Sequence, residues 1–238
     1  MLTANVIHRT FLIRHGEDVG TAFAIDRDSR QYLVTARHVT AGISSKDKIY
    51  VLHERQWKQV AVEVVGICGG NVDVAVLACS IRLAPPLPLE ASSKGMAFGQ
   101  RAYFVGFPFG WTAGWEDLNR DFPVPFVKTG FLGALVGGSE SRLYLDGHGN
   151  RGFSGGPVVF VPQEQPGGSL RVAGIVSHYP TPLLTPLVDK LGDPIHDENQ
   201  QPIGYFNENP GIVVAYEIRH ATDLIDTNPI GLRLADGK

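Results

Sequence analysis

Apolar residues in this chain fall in short runs, each closed by Gly, Pro, Asn or Asp. Such runs occur near 5–13, 20–25, 31–37, 48–53, 58–68 and 73–79, and again near 101–106, 126–136, 141–145, 157–161, 171–177 and 211–218. Almost no long stretch carries a 3.6-residue period, so the runs are predicted to be strands rather than helices. Between the two groups lies APPLPLEASSKG, from Ala84 to Gly95. Its prolines cannot occupy a helix interior, and it reads as a linker. The pattern therefore predicts an all-β chain with no βαβ alternation: two packed six-stranded antiparallel β-barrels, closed or nearly so. The first lobe is expected over 1–83, the linker over 84–95 and the second lobe over 96–238. A short helix is expected from about Ala221 to Ile225. Residues 180–210 are too polar and Pro-rich for core and are expected to form a long loop, and loops of that length are often functional.

Composition narrows the function classes. At 43% hydrophobic and 19% charged residues, the chain can bury a sizeable core. Its net charge is −3, with no long run of one sign, which removes the electrostatic case for a nucleic acid or anionic membrane partner. No stretch approaches the ~20 apolar residues of a spanning helix. His8, Arg9 and Arg14 interrupt the N-terminal apolar residues, so no secretory core is expected and a cytoplasmic location is. Cys68 and Cys79 are the two thiols, a number that fits a reducing compartment and two small buried side chains. The histidines are scattered and neither Cys sits in a CxxC pair, so no metal or other cofactor is expected.

The candidate chemistry centres on NRGFSGGPVV, Asn150 to Val159. Gly152-x-Ser154-x-Gly156 fits the nucleophile elbow of α/β-hydrolases, but that serine must be followed by a helix. Here Pro157 and the strand-like VVFV follow instead. The other design with these letters needs a histidine and an aspartate upstream, each in a set context. YLVTARHVTAG ends a β-run in Thr-Ala-x-His, at His38. NVDVAVLAC opens an alternating strand with Asp73. GTAFAID precedes the histidine and GIVSH follows the serine. Over roughly 20–225 the chain resembles the trypsin/chymotrypsin-like serine peptidases. GFPFG, KTGFLGAL and LDGHGNRGFSGGPVV are most similar to the bacterial high-temperature-requirement proteases, and their PDZ module is not expected after about residue 226.

That resemblance implies His38, Asp73 and Ser154 as a catalytic triad. It also implies the N–H groups of Gly152 and Ser154 as the oxyanion hole, and Ser177 as a supporting hydroxyl on the aspartate. The chemistry agrees, because a serine hydroxyl attacks only when a base takes its proton, and an imidazole does so near neutral pH. The substrate is expected to be a protein or peptide. Phe153 stands where trypsin-type zymogens carry an aspartate that pairs with a freshly cut N-terminus, so no activation of that kind is expected. His148 falls at the trypsin position that selects basic side chains, which argues against a basic preference. Tyr179 and Val213 add bulk and suggest a shallow pocket for small apolar side chains. A rival idea uses His148, Arg151 and His178 to attract an acidic side chain. A binding or regulatory module on the same fold, silent or switched on by a partner, is the alternative function. FLIRHGED, Phe11 to Asp18, resembles a histidine phosphatase motif, but the β-rich pattern lacks the α/β scaffold that class needs; the stretch 14–19 is expected to be a turn.

Overall fold

The computed structural model describes residues 2–85, 87, 89–113, 122–163, 168–178, 185–206 and 209–234. Its first barrel comprises β1 (Thr10–His15), β2 (Asp18–Arg27), β3 (Arg30–Thr35), β4 (Lys48–His53), β5 (Gln56–Ile67) and β6 (Ala75–Cys79). These pair in the order β3-β2-β1-β4-β5-β6, and β3 pairs again with β6 to close the ring. The chain then forms β7 (Glu90–Ala91) and a second barrel of β8 (Arg101–Gly106), β9 (Phe126–Val136), β10 (Arg142–Asp146), β11 (Pro157–Phe160), β12 (Arg171–His178) and β15 (Ile212–Glu217). Its order is β11-β8-β9-β10-β15-β12, closed by β11 against β12. Both rings have the six antiparallel strands that the hydrophobic pattern predicts. Two short additions lie outside them. β7 runs parallel to β12, and β16 (Leu232–Arg233) carries the tail back to pair with β3 of the first barrel.

Alternation along the strands explains the three apolar clusters. On β2, Ala22 and Ala24 point into the first barrel while Phe23 and Ile25 face the second. On β11, Val158 and Phe160 fill the second barrel while Val159 meets the first. Strands between the two cores are buried on both faces, which is why they read as unbroken apolar runs in the sequence. The helix α2 (Arg219–Thr227) adds Ala221 and Ile225 to the shared cluster and extends beyond the segment expected to be helical.

The first predicted strand starts later than its apolar pattern suggests. Residues Ala4–His8 form a single helical turn, α1, with the Thr3 carbonyl accepting from the Val6 and Ile7 N–H groups. This turn buries Val6 in the cluster between the barrels and directs Arg9 inward. Arg9 is fully buried and donates to Asp26 Oδ2 at 2.5 Å, Leu87 O at 2.6 Å, Pro85 O at 2.8 Å, Asn5 Oδ1 at 3.0 Å and Ala24 O at 3.3 Å. One guanidinium thus ties the linker to the first barrel. Removing one partner of a buried ion pair leaves the others without donors, so Arg9→Leu is expected to destabilise the protein by about 3 kcal/mol. A urea melt read by tryptophan fluorescence checks this, and a midpoint equal to wild type would contradict the assignment.

The segment expected to be a plain loop carries its own pairing. β13 (Thr185–Pro186) and β14 (Tyr205–Phe206) form an antiparallel ladder, extended by bridges between Val188 and Pro194 and between His196 and Pro202. No helix among the described residues is long and apolar enough to cross a membrane.

Candidate active site

His38 sits on a 3₁₀ turn, Arg37–Thr40, immediately after β3. Asp73 lies in the loop between β5 and β6, and Ser177 lies near the end of β12. The fold brings all three together. Asp73 Oδ2 accepts from His38 Nδ1 at 2.7 Å and from the Ser177 hydroxyl at 2.5 Å, while Oδ1 accepts from the His38 backbone N–H at 3.0 Å. Burial alone would push the Asp73 carboxyl up. The His38 ring, the Ser177 hydroxyl and the His38 N–H together outweigh it and hold the group below the usual carboxylate value.

The loop carrying Asp73 is held from both lobes. Arg37 donates to Cys68 O at 2.9 Å and to Gly70 O at 3.0 Å. From the second barrel, the Tyr216 hydroxyl donates to Asn71 O, and Asn71 Nδ2 donates to Glu140 Oε1 at 3.0 Å. Nothing local to Arg37, Tyr216 or Glu140 marks these roles, which arise only when the lobes meet.

The serine turn is stitched across the same interface by Thr21 on β2. Its N–H donates to Ser154 O at 2.8 Å, and its hydroxyl donates to Gly152 O at 2.6 Å while accepting from Phe107 N at 3.1 Å. Two glycines make this approach feasible. Gly152 has φ +96°, and a Cβ there would lie 2.1 Å from Phe107 O; Gly155 has φ +84°, and a Cβ would lie 2.0 Å from Thr21 O. No L side chain fits either position. Phe153 is fully buried beneath the turn, edge-on to Phe104 with centroids 5.3 Å apart.

The turn leaves two donors unused. Among the described residues, the N–H groups of Gly152 and Ser154 have no acceptor, whereas those of Phe153, Gly155 and Gly156 bond to Asn150 O, Val176 O and Phe153 O. The Ser154 hydroxyl donates to Ser177 O at 2.7 Å, so its proton is committed to that carbonyl.

A cleft of 790 Å³ runs past His38 and Ser154. Arg151, His178 and Val213 line it. His148 does not. Its side chain points to solvent, and its carbonyl accepts from Lys128 Nζ at 2.7 Å. Lys128 also donates to Asn150 Oδ1. Tyr179 lies outside the described residues. Val19, Trp57 and Phe109 form a further part of the cleft wall that the sequence reading missed. Arg14, on the phosphatase-like stretch, stacks over Tyr50 at 4.7 Å and Trp57 at 5.0 Å and so supports that wall. That stretch is the end of β1 and the Gly16–Glu17 turn into β2. Cys68 and Cys79 are free thiols, both pushed up by burial, Cys79 to about 12.

Comparison with known proteins follows the same lines. The family described as trypsin-like peptidase domain matches residues 20–164. No curated protein matches in sequence. Among solved structures, the active form of the Rv3671c protease from M. tuberculosis superposes with a TM-score of 0.58 at 17% identity, covering 99% of this chain and 84% of that one. The HtrA-type protease AlgW with a tripeptide gives 0.59 at 21% identity, over 94% of this chain and 61% of that one. A serine endoprotease from Yersinia pestis gives 0.58 at 18% identity, over 99% and 66%. At these identities the likeness is one of fold: two packed β-barrels.

Proposed function

Because the chain belongs to the family of trypsin-like peptidase domains, we propose that this serine protease is an endopeptidase acting through Ser154, His38 and Asp73. The observation that carries the reading is the bonded set His38–Asp73–Ser177 facing the same cleft as Ser154. In the reaction, the Ser154 hydroxyl leaves Ser177 O by rotation about χ1 and turns to His38 Nε2. Exchanging one neutral hydrogen bond for another costs about 1 kcal/mol or less. As Ser154 Oγ attacks the peptide carbonyl, its proton passes to Nε2, and Asp73 stabilises the imidazolium through Nδ1–H. The N–H groups of Gly152 and Ser154 receive the negative oxygen, each such donor contributing roughly 3–4 kcal/mol in a typical site. The imidazolium then protonates the leaving amine, and water enters by the same route to release the acid.

One observation favours the second reading, a module that is silent until a partner engages it. The nucleophile's proton rests on Ser177 O, not on the base. Labelling of the wild-type chain by a fluorophosphonate, with the adduct mapped by mass, separates the two. An adduct on Ser154 without any partner supports the endopeptidase, and no adduct under any condition supports the module.

The substrate is a protein or peptide, and the end of β12 at Ser177 and His178 offers its backbone an edge to pair with as an added strand. With Val213 on the cleft wall, a shallow pocket for small apolar side chains is favoured over an acidic preference set by Arg151 and His178. A peptide-library profile is expected to show cleavage after small apolar residues, and strong cleavage after Arg would refute both ideas. In this reading the chain divides into lobes over 1–83 and 96–238 joined by 84–95, with the base and acid belonging to the first and the nucleophile to the second. The two free thiols support a reducing, cytoplasmic setting, and the GFPFG and GFSGGPVV motifs support a bacterial source.

A further inference from the structure

The Ser177 hydroxyl stands between two groups. Its oxygen is 2.5 Å from Asp73 Oδ2 and 2.9 Å from His178 Nδ1. A hydroxyl carries one proton, so it donates to one of them. Both Asp73 oxygens already accept from His38, through the backbone N–H and the ring Nδ1–H, so this carboxylate is an acceptor on every side. The Ser177 proton therefore goes to Asp73. The contact with His178 must then run the other way, with Nδ1–H donating to Ser177 Oγ. Donation passes in one direction from His178 through Ser177 to the carboxylate that orients His38.

We propose that His178 is a positioning residue of the catalytic apparatus: by donating to Ser177 it fixes that hydroxyl on Asp73 and so holds the imidazole of His38 in its working tautomer and orientation. This inference rests on the endopeptidase reading above. Its physical basis is cooperativity, since a hydroxyl that accepts a hydrogen bond donates a stronger one. Without His178 the Ser177 hydroxyl is free to turn, and Asp73 loses a fixed donor.

The surroundings of the ring support the tautomer. His178 faces Asp73 and His38 from the first lobe and Arg142 on β10 from the second. Burial, His38 and Arg142 disfavour a charged ring, Asp73 favours one, and the balance holds His178 below the usual histidine value. Near neutral pH the ring is uncharged, Ser177 keeps its proton on Nδ1, and Nε2 is left as an acceptor.

The test separates positioning from substrate contact by using a probe with no peptide part. The second-order rate constant for inactivation by diisopropyl fluorophosphate is measured on the full chain from about pH 5 to about pH 9. His178→Ala is expected to react about tenfold more slowly, the effect of roughly one hydrogen bond. Its acid limb is expected to move to higher pH, because a carboxylate with a weaker donor holds the imidazolium at 38 more tightly. His178→Asn, whose amide N–H replaces Nδ1–H, is expected to stay within about threefold of wild type. An Ala variant that reacts at the wild-type rate with an unmoved limb, or an Asn variant no better than Ala, overturns the proposal. If the wild type itself does not react, the endopeptidase reading falls first. The proton spectrum still decides the relay in that case: the downfield His38 Nδ1–H resonance must shift in His178→Ala and return in His178→Asn, and an unchanged resonance overturns it.

Discussion

Ser154→Ala is expected to lower turnover by about six orders of magnitude and to abolish the fluorophosphonate adduct. The change is nearly silent structurally. Among the described residues, the Ser154 hydroxyl makes a single hydrogen bond, to Ser177 O, and the residue does not occupy the left-handed region that Gly152 and Gly155 do. Losing that bond costs about 1 kcal/mol, so the variant should fold and should still bind peptide. What disappears is, among the described residues that line the cleft, the one hydroxyl whose proton is not already committed to a carboxylate. Ser177 also lines the cleft, but its proton is held by Asp73 at 2.5 Å. Oxyanion donors and binding alone leave a residual acceleration of roughly 10³–10⁴ over water. Peptide hydrolysis by purified wild type and variant, with mass mapping of the adduct, decides the matter. Turnover above about a hundredth of wild type, or an adduct that moves to Ser177, would mean that the nucleophile is misassigned.

The strands of both barrels were legible because each combines alternation with a turn residue at its ends, two signals that are local. The helical turn at Ala4–His8 was not, because Val6 and Ile7 favour a strand locally. The turn forms because Val6 reaches the cluster between the barrels and Arg9 must meet the linker carbonyls, a tertiary demand that overrides propensity. β7 and β16 are two residues long and exist only through their partners on β12 and β3. The site divides in the same way. TARH, NVD and GFSGG are local signatures, so His38, Asp73 and Ser154 could be singled out from them as candidates. Thr21, Arg37 and Tyr216 are ordinary residues in the sequence whose roles come from contacts across 131, 31 and 145 positions of chain. His148 shows the limit of loop position as a signal: the residue is exposed and does not line the cleft, because side-chain direction in a loop is set by contacts that sequence position does not encode. The resting direction of the Ser154 hydroxyl depends on how β12 approaches the turn, which no local pattern encodes.

Asp73→Asn is expected to reduce kcat by about 10⁴ while leaving the fold intact. The hydrogen-bond pattern sets the reason. Asp73 Oδ1 accepts the His38 backbone N–H, and Oδ2 accepts both His38 Nδ1–H and the Ser177 hydroxyl. An asparagine that keeps its carbonyl on the backbone N–H must turn its amide N–H₂ toward His38 Nδ1 and Ser177. The imidazole then accepts at Nδ1 and carries its proton on Nε2, the atom that must be bare to take the proton of Ser154. The Ser177 hydroxyl also meets a donor where it had an acceptor, and must turn away. The same substitution tests the acid stability of the fold. In the wild type, Asp73 is held below the usual carboxylate value once burial is outweighed by its donors, so its contribution to stability is present above that usual value and is lost as pH falls through the lower, folded-state value. The asparagine variant cannot titrate there and should lose that part of the decline. Urea midpoints followed from neutral pH into acid should therefore fall less steeply for the variant than for the wild type. A loss of activity below about tenfold, or parallel acid declines in the two proteins, would remove Asp73 from the role its three hydrogen bonds assign to it.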